Sequence, residues 1–199
     1  MKKLSRKKGM QPGSLVFTGN KKMEKVRVCL TRYSSDRLEE WEYRGFEGIP
    51  MPGGEFNVTW IDVKALHDPA VIETSGKLFG IHPLVLEDIL NTNQRPKIEY
   101  SENYVFIVLK MLSWNEKEHL VEPEQISIIV GADYVITYQE NYDDIFDALR
   151  ERIRQTKGQI RSQGAGYLAY SLMDTIVDYY YVILEQIGTD IERYEEELL

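Results

Sequence analysis

Six short segments of the chain alternate between apolar and polar residues or carry β-branched runs, and glycine, asparagine or proline bounds them. This pattern predicts β-strands. The predicted strands are residues 15–18, 26–33, 58–63, 104–114, 125–130 and 134–139. Because only Gly131, Ala132 and Asp133 separate the last two, these strands should form an antiparallel hairpin, and the sheet should be mixed.

Helical signals fall between and after these strands. Residues 68–79 should form a helix, because Asp68 can cap its first turn and Pro69 suits the first helical position. Pro83 begins a second, shorter helix in the same way, and residues 144–155 are predicted to form a third. Strands and helices in this order predict a mixed α/β domain.

The last part of the chain, residues 164–199, carries one helical pattern without proline, 36 residues that would span about 54 Å. Apolar residues recur along one face at the spacing of a buried stripe. The stripe consists of Leu172, Met173, Ile176, Tyr180, Ile183, Leu184, Ile187, Ile191, Tyr194 and Leu198. Since such a helix extends past one small domain, we expect a domain over residues 1–160 and the start of a long helix over residues 161–199.

The opposite face of this helix is acidic. Its acidic residues fall within a stripe that spans roughly 40° around the helix axis and holds no basic residue. They are Asp174, Asp178, Glu185, Glu192 and Glu196. Like charges four residues apart repel by about 0.2–0.5 kcal/mol per pair, which water tolerates and counter-cations relieve. Solvation is a sufficient explanation for Glu192 and Glu196, whereas Asp174 lies near the domain and is a candidate functional residue.

A second acidic feature lies in the segment GIHPLVLEDILNTNQRPK, residues 80–97. Glu87 and Asp88 come near the end of the short helix that begins at Pro83. A helix C-terminus carries partial negative charge and favours lysine, arginine or histidine. Two acids there indicate a cationic partner, either a metal ion or a basic side chain.

Composition narrows the class of protein. The chain has 199 residues, 43% apolar and 28% charged, enough for a substantial core. Its single cysteine, Cys29, excludes a disulfide framework and the usual thiolate zinc clusters. No run of roughly 18 apolar residues and no secretory signal occurs, so this piece should be soluble.

The net charge of −8 divides into +8 over residues 1–30, −7 over residues 164–199 and −9 between them. The basic N-terminal arm lacks the interleaved aromatic residues typical of nucleic-acid binding, so we expect no nucleic-acid partner. The sequence has no Walker loop, GxSxG elbow or HExxH motif. Carboxylates without clustered cysteine or histidine favour Mg²⁺, Ca²⁺ or Mn²⁺ over zinc.

The residues leave two other classes of function open. One is a soluble Mg²⁺-dependent phosphoryl-transfer enzyme that uses Glu87, Asp88 and Asp174, although the sequence lacks a loop that would cradle phosphate. The other is an oligomerisation scaffold in which Arg95 or Lys97 neutralises the two acids of the short helix.

Three blocks, in order GIHPLVLEDILNTNQRPKIEYSENYVFIVLKML, EQISIIV and YSLMDTIVDYYYVILE, resemble the cytoplasmic N-terminal domain of CorA-type magnesium transporters. The resemblance runs from the GMQPGSLVFTG start to Leu199. It implies an α/β/α sandwich with a mixed parallel/antiparallel sheet, followed by a long projecting C-terminal helix. In that family the helix continues into a stalk and two transmembrane helices with a Gly-Met-Asn signature, and these segments are not in this chain.

The resemblance also implies a function. The family forms a homopentamer at the cytoplasmic face of the cell membrane, in which Mg²⁺, or Co²⁺ or Ca²⁺ at the same sites, binds between subunits and favours the closed pore. By motif the metal ligands would be Glu87, Asp88 and Asp174, joined by an aspartate of the adjacent subunit, and no residue would be catalytic. A ZntB-like zinc transporter domain is the alternative within the superfamily. Because the helical pattern stops at Leu199 without a C-cap, we expect a longer natural chain.

Overall fold

The computed structural model describes residues 9–19, 21, 24–141 and 145–198. The strands are β1 (Arg27–Tyr33), β2 (Leu38–Tyr43), β3 (Val58–Lys64), β4 (Lys97–Tyr100), β5 (Val105–Asn115), β6 (Leu120–Val130) and β7 (Tyr134–Gln139). The helices are α1 (Pro69–Phe79), α2 (Pro83–Leu90), α3 (Asp147–Arg154) and α4 (Ala165–Leu198). Most of the predicted basic arm, residue 144 of the third predicted helix and residue 199 of the long one lie outside the described residues.

The strands form one sheet in the order β2-β1-β3-β7-β6-β5-β4. Among the described strands only β3 and β7 are parallel neighbours, and the other pairs are antiparallel, which confirms the predicted mixed sheet. The predicted hairpin joins β6 to β7, where the Gly131 amide donates to the Tyr134 carbonyl at 2.9 Å. Its short turn fixes the register of two strands in the middle of the sheet.

Helices cover both faces of the sheet, as alternate residues of β3 show. Val58 and Trp60 pack in the core beneath α3 and α4, whereas Ile61 and Val63 pack in the core beneath α1 and α2. This alternation is the strand period of two, with both faces buried. The α/β/α sandwich is therefore confirmed.

The local signals for α1 are also confirmed. The Asp68 carboxylate accepts the Ala70 amide at 3.0 Å, and Pro69 occupies the first turn. The helix ends at Gly80, whose φ of 64° is the left-handed conformation that glycine adopts without strain.

The predicted strand at residues 15–18 is wrong. This segment has no regular structure, and the Thr18 amide donates to the Leu90 carbonyl at the end of α2 instead of to a neighbouring strand. Two of its apolar residues, Leu15 and Phe17, pack against the core that α1 and α2 cover. The alternation there reflects packing without strand pairing.

Helix α4 packs on the centre of the sheet over its first half. Leu168, Leu172 and Ile176 are fully buried in the core with β5 and β6. Further along the predicted stripe Ile183 is still buried, whereas Leu184 is 63% exposed, Ile191 53% and Leu198 87%. The 34-residue helix is thus longer than the sheet can cover, as a projecting helix requires.

A long β5–β6 hairpin supports part of the second half of α4. Strand β6 begins at Leu120, five residues before the predicted start, and pairs along its whole length with β5. Beside its turn, His119 Nδ1 lies 3.2 Å from the Asp190 carboxylate, and the Tyr180 hydroxyl donates to the Lys110 carbonyl. The hairpin therefore holds the helix well beyond the central strands.

Burial of the Tyr138 phenol should make the stability of the fold depend on pH in the alkaline range. This phenol is fully buried, it shares a 2.9 Å hydrogen bond with the Ser75 hydroxyl, and burial raises its pKa above the ordinary value of 10.0. Because the folded state favours the neutral phenol, its contribution to stability is present below about pH 10 and is lost as the pH rises further. Tyr138→Phe should flatten this loss by up to about 1.4 kcal/mol per pH unit.

Chemical denaturation of wild type and Tyr138→Phe between about pH 8 and pH 11 checks this expectation. The variant should lose about 1 kcal/mol at neutral pH with its hydrogen bond. Tyr100→Phe, at a side chain that is 83% exposed, is the matched control and should keep the wild-type pH dependence. Parallel pH profiles for wild type and both variants would contradict the account.

Candidate functional site

Helix α2 presents the two adjacent acids at its end. Pro83 begins the helix and His82 caps it, with the Leu84 amide donating to His82 Nδ1 at 3.2 Å. One face is anchored in the core by the buried side chains of Val85, Leu86, Ile89 and Leu90. Glu87 and Asp88 are therefore half-buried at the edge of that core, in a last turn that carries only acidic and apolar side chains, as predicted.

Asp88 has partners within the chain. Lys97 Nζ lies 2.6 Å from its Oδ2, and Gln94 Nε2 donates to its Oδ1 at 2.5 Å. The same ammonium contacts Glu99 Oε1 at 2.6 Å. Burial acts to lower the pKa of Lys97, but the hydrogen bonds to Asp88 and Glu99 outweigh it, so the pKa is raised and the side chain stays charged. Of the two basic residues that the scaffold hypothesis named, Lys97 does contact Asp88.

Glu87 contacts the N-terminal segment. Its Oε2 accepts the Gly13 amide at 2.7 Å. Gly13 has a φ of 84°, and a Cβ there would lie 3.3 Å from the Cβ of Pro83, so a larger residue would strain this approach. The segment around Gly13 is thereby held against α2 beside the candidate ligand.

Asp174 lies elsewhere. It is exposed on α4, between Leu172 and Ile176, which are buried against the sheet. Because α2 and α4 pack in different cores, the structure does not bring Asp174 together with the two acids of α2. Over the described ranges no group of three or more histidine, cysteine, aspartate or glutamate side chains is arranged to hold a metal ion.

A buried polar network beneath α3 was not predicted from the sequence. Asp62 Oδ1 accepts Thr137 Oγ1 and Gln139 Nε2, each at 2.6 Å, and Arg150 Nη2 lies 2.6 Å from Asp62 Oδ2. The Arg150 guanidinium also stacks 4.5 Å from the Trp60 ring. The available signal was a single aspartate inside the apolar strand VTWIDVK. The network joins α3 to the middle of the sheet, and we assign it to stability.

None of the helices in the described part of the chain is both long enough and apolar enough to cross a bilayer.

Residues 56–199 match the family described as CorA-like Mg²⁺ transporter protein. Over 198 residues the chain is 46% identical to the cobalt/magnesium transport protein CorA of Thermotoga maritima. This match covers 100% of this chain and 56% of that protein. It is also 31% identical over 139 residues to the putative metal ion transporter YfjQ of Bacillus subtilis, covering 69% of this chain and 41% of that protein. The chain belongs to the CorA family.

A solved structure shows the same fold. The soluble domain of CorA from Methanocaldococcus jannaschii matches with a TM-score of 0.67 over 86% of this chain and 64% of that chain, at 19% identity. The chain therefore has the fold of the CorA soluble domain, and it spans just over half the length of its relative from Thermotoga maritima.

Proposed function

We propose that this chain is the cytosolic, divalent-cation-sensing domain of a CorA-type Mg²⁺ and Co²⁺ transport channel, with no catalytic role. Membership of the family and the cobalt/magnesium relative support this proposal. The domain would lie at the cytoplasmic face of the cell membrane, joined to the transmembrane helices of the full-length transporter.

The observation that carries the proposal is the pair of acids in the last turn of α2. Glu87 and Asp88 supply hard oxygen donors at a helix end that favours a cation. Mg²⁺ commonly keeps several waters and takes only one or two carboxylates from protein, so a partial site on one chain suits it. Asp174, exposed on a different layer, would serve a site that a neighbouring subunit completes.

The exposed apolar side of α4 supports assembly into a homo-oligomer, which we propose to be a pentamer. Val177, Leu184, Ile191 and Leu198 follow one another at intervals of seven residues, and all four are exposed in this chain. A repeat of this kind is the seam of a helix that packs along other helices. The exposed seam would be covered in the assembled protein.

Regulation would follow from where the cation binds. If Mg²⁺ bridges neighbouring domains, it stabilises the closed pore by the difference between its binding free energies for the closed and open assemblies. Tight binding with equal affinity for both states would shift nothing. The ligands must therefore lie closer together in the closed assembly than in the open one.

A thermal-unfolding titration of this chain tests the type of cation. Because the candidate ligands are all oxygen atoms, Mg²⁺ and Co²⁺ should stabilise the chain weakly, with midpoints in the range of about 0.1 to 10 mM. Asp88→Asn should weaken the response, whereas Asp178→Asn, at an exposed aspartate one turn beyond Asp174, should not. Tight zinc binding together with no response to millimolar Mg²⁺ would refute the proposal.

A further inference from the structure

We propose that Lys97 competes with the divalent cation for Asp88 and thereby sets the Mg²⁺ concentration at which the site fills. The inference deepens the proposed function and rests on it. Lys97 is not one of the candidate ligands, which are Glu87, Asp88 and Asp174.

The Lys97 ammonium is held in a defined position. It lies 2.6 Å from Asp88 Oδ2 and 2.6 Å from Glu99 Oε1, and 5.4 Å from the centre of the Phe106 ring. Lys97 and Glu99 project from the same side of β4, and Phe106 is the partner of Glu99 on β5. Two carboxylates and an aromatic face thus surround a cation whose side chain is only 26% exposed.

This position conflicts with metal binding at Asp88. A Mg²⁺ ion that a carboxylate binds directly lies about 2.0–2.1 Å from the oxygen. Oδ2 of Asp88 already accepts from Lys97 and Oδ1 accepts from Gln94, so a metal ion must either share an oxygen with one of these donors or displace that donor. An ammonium that stays beside Asp88 would lie within a few ångström of a metal ion bound there. The two cations would repel each other strongly, because this site is partly buried.

Glu99 is a second carboxylate partner that can keep Lys97 paired after it leaves Asp88. When a metal ion takes Asp88 Oδ2, Lys97 can remain paired with Glu99 through the contact that it already makes. The lysine would therefore shift between two states, shared by Asp88 and Glu99 without metal and held by Glu99 alone with metal. Removing Glu99 should make the displacement harder, whereas removing the Lys97 charge should make it unnecessary.

The test is a Mg²⁺ titration of this chain, with thermal unfolding as the readout. Lys97→Met keeps an unbranched side chain against Phe106 and removes the charge, and it should lower the Mg²⁺ midpoint about tenfold. Glu99→Gln should shift the midpoint in the opposite direction, about threefold upward. Lys77→Met, at a surface lysine paired with Glu73 on α1, makes the same charge change away from the site and should leave the midpoint within about twofold of wild type.

The outcomes separate this inference from the function on which it rests. An unchanged or raised midpoint in Lys97→Met, together with a weakened response in Asp88→Asn, would leave the metal site standing and overturn the competition. A wild-type chain that ignores Mg²⁺ would overturn the proposed function and the inference together. If Lys97→Met does not fold, Glu99→Gln decides, because a lowered or unchanged midpoint in that variant contradicts the competition.

Discussion

Replacing Asp62 with alanine is expected to lower the free energy of unfolding by about 3–5 kcal/mol. Asp62 is 1% exposed and Arg150 is 6% exposed, so removing the carboxylate leaves a buried guanidinium without its 2.6 Å ion pair. Thr137 and Gln139 lose an acceptor at the same time. Denaturant unfolding at neutral pH measures the change directly.

The chain contains a matched control for this prediction. Arg154 and Glu40 also join α3 to the sheet, with two nitrogen–oxygen contacts of 2.8 and 3.0 Å, but their side chains are 45% and 32% exposed. Glu40→Ala should therefore change stability by at most about 1 kcal/mol. If Glu40→Ala and Asp62→Ala lowered the free energy of unfolding equally, burial would not explain the contribution of the Asp62 network to stability.

Asp88→Asn and Asp174→Asn are expected to remove most of the stabilisation that Mg²⁺ would give to the proposed assembly. Each change is nearly isosteric and takes a charged oxygen from the proposed coordination sphere, so we expect a loss of about tenfold or more in apparent affinity. Folding should survive, because Asp174 is exposed on α4 and Asp88 is only half-buried on α2. Protection from proteolysis by added Mg²⁺ measures the effect.

Asp178→Asn is the control for these variants. It removes an aspartate from the same acidic face of α4, one turn further along, and should leave Mg²⁺-dependent protection at the wild-type level. If all three asparagine variants lost protection to the same degree, the general charge of the domain would explain the response and specific ligands would not.

Sequence patterns predicted the elements whose apolar residues meet a core. The alternation of β3 and β7 and the cap and proline of α1 are local features, and the structure shows both. The missed strands, β2 with LEEWEY and β4 with KIEY, lie at opposite edges of the sheet and are largely exposed or only partly buried. An edge strand has one neighbour and little core to face, so its sequence carries a weak signal.

The candidate site divides in the same way. The unusual position of Glu87 and Asp88 at a helix end is a local property and was visible in the sequence. Asp88 pairs with Lys97, and strand β4 determines the position of that lysine. Because β4 was not predicted, the sequence did not show this pairing. The pairing of Asp62 with Arg150 joins residues 88 positions apart, and only the tertiary structure brings them together.

The most direct test of the proposed function is a transport assay on the proposed full-length transporter, with internal Mg²⁺ varied. Wild type should close as Mg²⁺ rises, and the Asp88→Asn/Asp174→Asn double variant should keep transporting at concentrations that close the wild type. Asp178→Asn should close as wild type does. If the double variant closed at the wild-type Mg²⁺ concentration, these acids would not sense the cation, and the proposed regulatory role of the domain would be wrong.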